Sequence, residues 1–431
     1  MENVISILEF IVAFSILIIL HELGHFAVSR FFKIPVDEFG LGFPPRALRL
    51  WRRQGWIRIG STKVISPPGT RILRDIEPDT WVDATAERDD AGDYRLAKIS
   101  NLDAETDELD TWRRLNPDGS LHLRGQVTES ELGMLYSLNW LPFGGFVRIR
   151  GEGEPDVKGG IAAANPWVRI AIYLAGPIAN LIVGVLLYAF IITQAGAPLR
   201  VGITQVAPDS PADQAGLLPG DMFLTINGEQ MTNPDEVHEA IYAHLGTPID
   251  MTLQRGDEIF SVSLTPRNPP PPDEGAIGVG MIPVLVPVKW TQILPVSVNV
   301  VYDQIVMLVT LPSKIINGSI ASSEARLVGY KGMYDMYQYM SEEPEGTPPG
   351  GINLNALGFF AIISVSLGFV NLLPIPALDG GRVLFALPEI VFRRPIPIEW
   401  QNAVNFIFFI SLIALFLYIN VLDFVNPVQF P

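Results

Sequence analysis

Cysteine is absent from all 431 residues. That excludes disulfides, thiolate zinc sites, iron–sulfur clusters and cysteine nucleophiles, so any metal must be held by histidine and carboxylates. Histidine is itself scarce, with five in the chain. Positive charge is short: 30 Lys and Arg stand against 46 Asp and Glu, a formal net charge of −16. Nucleic-acid binding relies on basic surfaces and is a poor fit. Charged residues of both signs make up only 18% of the sequence, against 48% hydrophobic. The shortage is uneven, because long charge-free stretches alternate with acidic ones. This is the pattern of a membrane protein with soluble insertions.

A membrane-spanning helix needs roughly 20 predominantly apolar residues. Ile170–Thr193, Gly351–Leu378 and Gln401–Leu422 meet that without a single charge. None shows one-face periodicity, as expected of helices apolar all round. The N-terminal stretch from about Ile5 to Phe32 is apolar with polar residues in its middle. It has no Lys or Arg before Phe10 and no A-x-A pattern, which argues for a span over a signal peptide. Leu294–Ile316 contains Asp303, Pro295 and Pro312, and reads as an amphipathic helix on the membrane or the protein. The expectation is a multi-pass α-helical protein with four transmembrane helices. Arg30, Lys33, Arg46 and Arg49 follow the first span, Arg148, Arg150, Lys158 and Arg169 precede the second, and Arg382, Arg393 and Arg394 lie between the third and fourth. By the positive-inside rule those loops are cytoplasmic. Both termini and the segment from Gly196 to about Gly350 then face outward, across a plasma or inner membrane.

Inside the first span lies His21-Glu22-Leu23-Gly24-His25. Residues four apart share a helix face, so the two imidazoles can grip one Zn²⁺ with Glu22 beside it as a base. A satisfied polar patch between helices is the alternative. A catalytic zinc usually takes three protein ligands. His122, His238 and His244 fall in soluble segments, so a carboxylate near the membrane is the better candidate. Asp379 follows the third span in Asn371-Leu-Leu-Pro-Ile-Pro-Ala-Leu-Asp379-Gly-Gly-Arg382. A plain solvated turn is the competing reading. At 1.5 Å per residue His21 sits in the cytoplasmic half of the first span. Asp379 emerges at that depth only if 294–316 does not cross.

Four stretches resemble the site-2 protease family of intramembrane zinc metalloproteases, in its bacterial PDZ-containing branch of the regulator-of-sigma-E type. They are His21–His25, Phe39-Gly-Leu-Gly-Phe43, Pro142–Val147 followed by Ala175-Gly-Pro-Ile-Ala-Asn180, and Asn371–Gly381. The resemblance implies that His21, His25 and Asp379 ligate zinc and that Glu22 is the catalytic base. It also implies that Asn371 and Asn180 lie near the site, Asn371 on substrate, although a helix–helix hydrogen bond is open for Asn180. The substrate it implies is a single-pass transmembrane protein, often an anti-sigma factor, cut within or near its span. A catalytically inactive membrane-bound PDZ scaffold or a zinc-dependent regulator keeps the same fold.

Cutting a helix requires local extension, and extended backbone in a bilayer needs partners that a strand edge provides. Leu138–Arg150 reads as strand broken at Gly144-Gly145. The resemblance makes it a membrane-associated β-hairpin that clamps substrate. An ordinary amphipathic hairpin is the alternative. Residues 199–267 read as an α+β unit resembling a PDZ domain, either a peptide binder or only a gate. The expected order is a first span and loop at 1–50, an acidic cytoplasmic insertion with partial disorder at 51–135, and the hairpin region at 136–166. The second span at 167–196 and the PDZ unit follow. A linker and amphipathic helix at 268–350 lead to the third span at 351–378, the Leu-Asp-Gly-Gly loop at 379–400 and the fourth span at 401–423.

Overall fold

The charge-poor N-terminal stretch forms one helix, α1 (Glu2–Phe31). Its polar residues ride on a single unbroken rod. The computed structural model describes residues 2–67, 76, 79–102, 110–131, 133–154, 157, 159–271, 274–317, 327–341 and 352–427. It divides into two compact units, residues 1–184 with 304–431, and residues 185–303.

In the first unit α1 leads into a long bent strand, β1 (Val36–Arg52), which pairs with β8 (Leu135–Ile149). Both strands double back. Glu38 lies opposite Arg148 and also opposite Leu135, while Arg52 pairs with Leu135, so two strands make a four-lane sheet. Phe39–Phe43, expected as a loop, is therefore strand. The turn of β8 packs on α1, where Ser15 Oγ donates to Pro142 O at 3.2 Å and accepts from the Gly144 N–H at 3.1 Å. Glu38 is buried at the crossing of the lanes. It receives Arg46 Nη2 at 2.6 Å and Ser137 Oγ at 2.7 Å.

The insertion joins the adjacent ends of β1 and β8. It contains β2 (Trp56–Ile59), β3 (Thr62–Ile65), β4 (Trp81–Arg88), β5 (Tyr94–Asn101), β6 (Trp112–Leu115) and β7 (Leu121–Glu131). The order is β2-β3-β5-β4-β7-β6, and a further β2–β7 pairing closes five strands into a barrel. Ile57, Val64, Val82, Leu96, Leu121 and Val127 fill it. The described part of the acidic insertion is thus a folded domain with a hydrophobic core. The charge-dense stretch at 103–109 lies outside the described residues.

Helix α2 (Pro166–Ala195) runs antiparallel to α1, since Ile172 meets His25 and Asn180 meets His21. Helices α5 (Trp290–Ile316), α6 (Tyr330–Ser341), α7 (Leu354–Leu372), α8 (Asp379–Phe392) and α9 (Ile398–Val425) complete the helical set. Rings of Phe10, Tyr337 and Phe359 gather α6 onto the starts of α1 and α7, with centroids 5.6–6.3 Å apart. Buried Asp423 of α9 accepts the Gly329 and Gly332 N–H groups at the start of α6, where helical donors lack partners. Residues 379–392, expected as loop, are helix after Asp379. Among the described residues five helices are long and apolar enough to cross a membrane, within α1, α2, α5, α7 and α9. By length and composition α5 joins the four expected spans.

The second unit carries β9 (Ala197–Val206), α3 (Pro211–Gln214), β10 (Met222–Ile226), β11 (Glu229–Gln230), α4 (Pro234–Tyr242), β12 (Ile249–Arg255), β13 (Glu258–Leu264) and β14 (Val279–Val286). The sheet order is β13-β12-β10-β9-β14, with β11 on β10. Ser210 and Asn233 cap the two helices through side-chain oxygens, as their residue types favour. The prolines after Arg267 do not close this unit as expected: β14, beyond them, pairs along β9. Phe223, Met251 and Leu253 are fully buried at its centre.

Asp221 is wholly buried, bound by Arg255 at 2.7 and 2.8 Å and by the Leu218 N–H at 2.8 Å. Burial pushes its carboxyl up, but Arg255 and the Leu218 amide outweigh this and hold it below the usual carboxylate range. A depressed folded-state pKa gives stability that is present above the unfolded value and lost as pH falls through the folded one. Calorimetry of Asp221→Asn is expected to show a melting temperature several degrees lower at neutral pH. The same variant should lose less stability than the parent on acidification below about pH 4.

Candidate metal centre

One turn of α1 places the His21 and His25 Nε2 atoms 3.2 Å apart. Asp379 opens α8 and brings Oδ2 to 3.0 Å from His21 Nε2 and 3.3 Å from His25 Nε2. Glycine makes that return possible. Residue 380 passes so close to the end of α7 that a Cβ there would lie 2.6 Å from the Leu372 carbonyl carbon. The three side chains are buried, and one donor atom from each falls within 4.8 Å of the others. Three ionisable groups aimed at one point in an apolar bundle require a compensating charge.

Two further observations fit a metal there. His25 Nδ1 lies 2.7 Å from Ile172 O, so its hydrogen is on Nδ1 and Nε2 is left as a donor atom. Asn180 Nδ2 lies 3.2 Å from His21 Nδ1, while Asn180 Oδ1 is buried with no partner. The two ends of an amide are nearly the same size, and its hydrogen-bond partners decide which way it faces. With a metal on Nε2, His21 Nδ1 carries hydrogen, and the turned amide gives Oδ1 its missing donor. Asn180 is therefore an orienting neighbour of His21 and does not border the cavity.

That cavity, about 390 Å³, is lined by Glu22, Phe146, Val147, Asn371 and Arg382 around the two histidines and Asp379. Glu22 Oε2 accepts the Val147 N–H at 2.9 Å. Gly144 and Gly145 stand elsewhere. Gly144 has φ +64° with Ile18 against it, and Gly145 lies on Gly40 O, while Phe146 and Val147 line the cavity. Three contributors went unread in the sequence. The Val147 amide and the Arg382–Glu152 ion pair beside Asp379 leave no mark in residue type. Gly176 is different, because a Cβ there would sit 2.7 Å from His21 Nε2 and closer still to His25 Nε2. The Ala175-Gly-Pro stretch held that signal.

Buried ligand-type side chains, a carboxylate beside them and a cavity among apolar helices define a membrane-embedded metalloprotease. The family model of peptidase family M50 matches residues 9–60 and 126–415. The chain belongs to that family, the site-2 proteases, and is a zinc metalloprotease. The gap between the matched stretches falls within the inserted barrel. Zinc metalloprotease RasP of Geobacillus kaustophilus is 28% identical, over 97% of this chain and 97% of its own. The regulator of sigma-W protease RasP of Bacillus subtilis is 26% identical, over 96% of this chain and 97% of its own.

Gly176→Ala is expected to leave less than about a tenth of the parent's zinc in elemental analysis of purified protein, since a methyl group would occupy ligand space. Asn180→Ala should weaken zinc binding about 10- to 100-fold, the usual effect of losing a ligand's orienting partner, read by competition with a chelator.

Proposed function

We propose that this protein is an intramembrane endopeptidase that hydrolyses peptide bonds within or near transmembrane segments of single-pass membrane proteins. One observation carries the reading: a carboxylate, Glu22, is fixed to a strand amide beside a three-donor cluster inside an apolar bundle. His21, His25 and Asp379 would hold the zinc. When bound, it supplies Lewis-acid polarisation of the scissile carbonyl and acidifies water at neutral pH. Glu22 takes the water's proton and passes it to the leaving amide nitrogen. The Val147 N–H keeps that carboxylate turned toward the cavity. Asn371, at the end of α7, lines the same cavity and orients the substrate backbone. Phe146 and Val147 present the adjoining lane of β8, onto which an extended substrate segment adds as a strand.

We place the centre toward the cytoplasmic face, with both termini and residues 197–286 outside. The arginine-rich loops support this. Helix α5 lies along the membrane in this reading. The segment that follows it, α6, packs at the starts of α1 and α7, the side toward which α2 runs. A chain that leaves and returns on one side has not crossed. Residues 197–286 act as a PDZ-type unit. A groove between α4 and the sheet-edge strand β14, lined by His238, Ile241 and Tyr242, supports peptide binding. The Bacillus subtilis relative is a regulator of sigma-W protease. A membrane-anchored anti-sigma factor is accordingly the substrate class we favour.

The test uses full-length protein in lipid nanodiscs with a model transmembrane substrate. Glu22→Gln should reduce cleavage by about 10²- to 10⁴-fold with zinc content unchanged, and a chelator should stop the parent. Cleavage that survives both treatments would exclude the mechanism, leaving a binding role for the cavity.

A further inference from the structure

The four-lane sheet grades its arginines by depth. Its turn rests on α1 at Ser15, and its open end reaches the neighbourhood of Arg30, which pairs with Glu131 just before β8. From Pro44 to Arg52 the outer lane of β1 rises about 26 Å at 3.3 Å per residue. From Ser15 to Phe31 α1 rises about 24 Å. Arg46 therefore lies within the apolar layer, and Arg49, Arg52 and Arg53 approach its surface.

The pairing follows that gradient. Arg46, the deep one, is clamped on the buried Glu38 carboxylate. Among the described residues no ion pair involves Arg49 or Arg53, and both are exposed. Arg52 stands between them, close enough to feel the charges of Arg46 and Arg49. On one face of this outer lane Leu48 pairs with Leu138 beside Trp140, while Arg49 lies on the other face opposite Ser137; Leu48, Leu138, Trp140 and Leu141 are between 42% and 71% exposed. Trp51 stacks on Tyr136 at 4.4 Å beside the arginines. Apolar side chains below, an aromatic pair at the boundary and unpaired guanidinium groups above it match an interfacial surface.

We propose that this lane binds anionic phospholipid, with Arg49 and Arg53 on the headgroup phosphates and Leu48, Leu138, Trp140 and Leu141 against the acyl chains. Charge complementarity names the occupant. In a chain of net charge −16, four arginines lie within residues 46–53. A guanidinium fork pairs with phosphate. A zwitterionic headgroup offers phosphate without net charge, so the preference is for an anionic lipid. Each such cation contributes about fivefold to membrane attraction. The inference rests on membrane embedding and is independent of the catalytic reading.

The test titrates full-length zinc-loaded protein in neutral detergent with phosphatidylglycerol or phosphatidylcholine, counting bound lipid by native mass spectrometry. The parent should prefer phosphatidylglycerol. Arg49→Gln with Arg53→Gln should weaken that lipid's binding by tenfold or more and leave phosphatidylcholine unchanged. Arg113→Gln with Arg114→Gln, on the barrel, should match the parent. If the double variant fails to fold, Arg53→Gln alone should show about a fivefold loss, because among the described residues only the backbone of Arg53 is bonded, to Met134 O. Unaltered phosphatidylglycerol binding in the Arg49 and Arg53 variants overturns the proposal. So does an equal loss in the barrel variant. A third arm presents a transmembrane peptide with an acidic flank in phosphatidylcholine nanodiscs. Loss of peptide binding in the double variant, with lipid binding intact, would assign the arginines to substrate and overturn the lipid assignment.

Discussion

Three ionisable side chains share one point among apolar helices, and the rest of the first unit is arranged around that fact. Burying charge or unmatched polarity in a bilayer is costly unless partners are supplied. His21 and His25 come from the first helix, and Asp379 comes from 358 positions beyond His21 in sequence. Their convergence therefore requires α1, α2 and α7 to approach very closely. The small residues do this. Gly24 faces Ala175 and Ala179, Gly176 faces the two imidazoles, and Gly380 folds under the end of α7. Each is a place where a methyl group would displace either a helix or a ligand.

The sheet is bound into the same arrangement. The Val147 amide fixes Glu22, and the Glu38 knot with Arg46 and Ser137 fixes the lane beside Val147. Glu22 and the adjoining lane of β8 are thus one hydrogen-bonded body. An extended peptide added to that lane would meet a carboxylate already positioned by β8. Orientation of this kind lowers a barrier without new contacts at the reacting atoms.

Much of this was legible in the sequence because spacing carries it. His21, Glu22 and His25 announce a helix face. The proline and glycine residues around Asp379 announce a chain turning at a helix end. The charge-free runs announce the spans. What stayed hidden depends on partners distant in sequence. Nothing in Phe39–Phe43 reveals that it pairs twice with β8, and nothing in Val147 reveals an amide aimed at Glu22. Gly144 and Gly145 were noticed, yet glycine serves substrate contact and tight packing alike, and the close approach of Ile18 and Gly40 shows only in the fold. The barrel within the insertion stayed hidden for a related reason. Its acidic composition describes the outward faces of strands whose inward residues, Ile57, Val82 and Leu121 among them, close a barrel. The extent of α5 raised the opposite problem: by length and apolarity it qualifies as a fifth span.

The position of that barrel explains how the fold accommodates it. Arg52 and Leu135 are paired neighbours, so the chain leaves β1 and re-enters β8 at nearly one place. A domain inserted there need not stretch the sheet, whatever its length, because loop closure between adjacent points is insensitive to what lies between. Nor is the barrel a free appendage. Glu131 takes Arg30 from the end of α1, and Arg150 at the end of β8 donates to Ser130 O. These contacts fall on the two elements that carry His21, His25 and the Val147 amide. The barrel is thereby joined to the ends of α1 and β8.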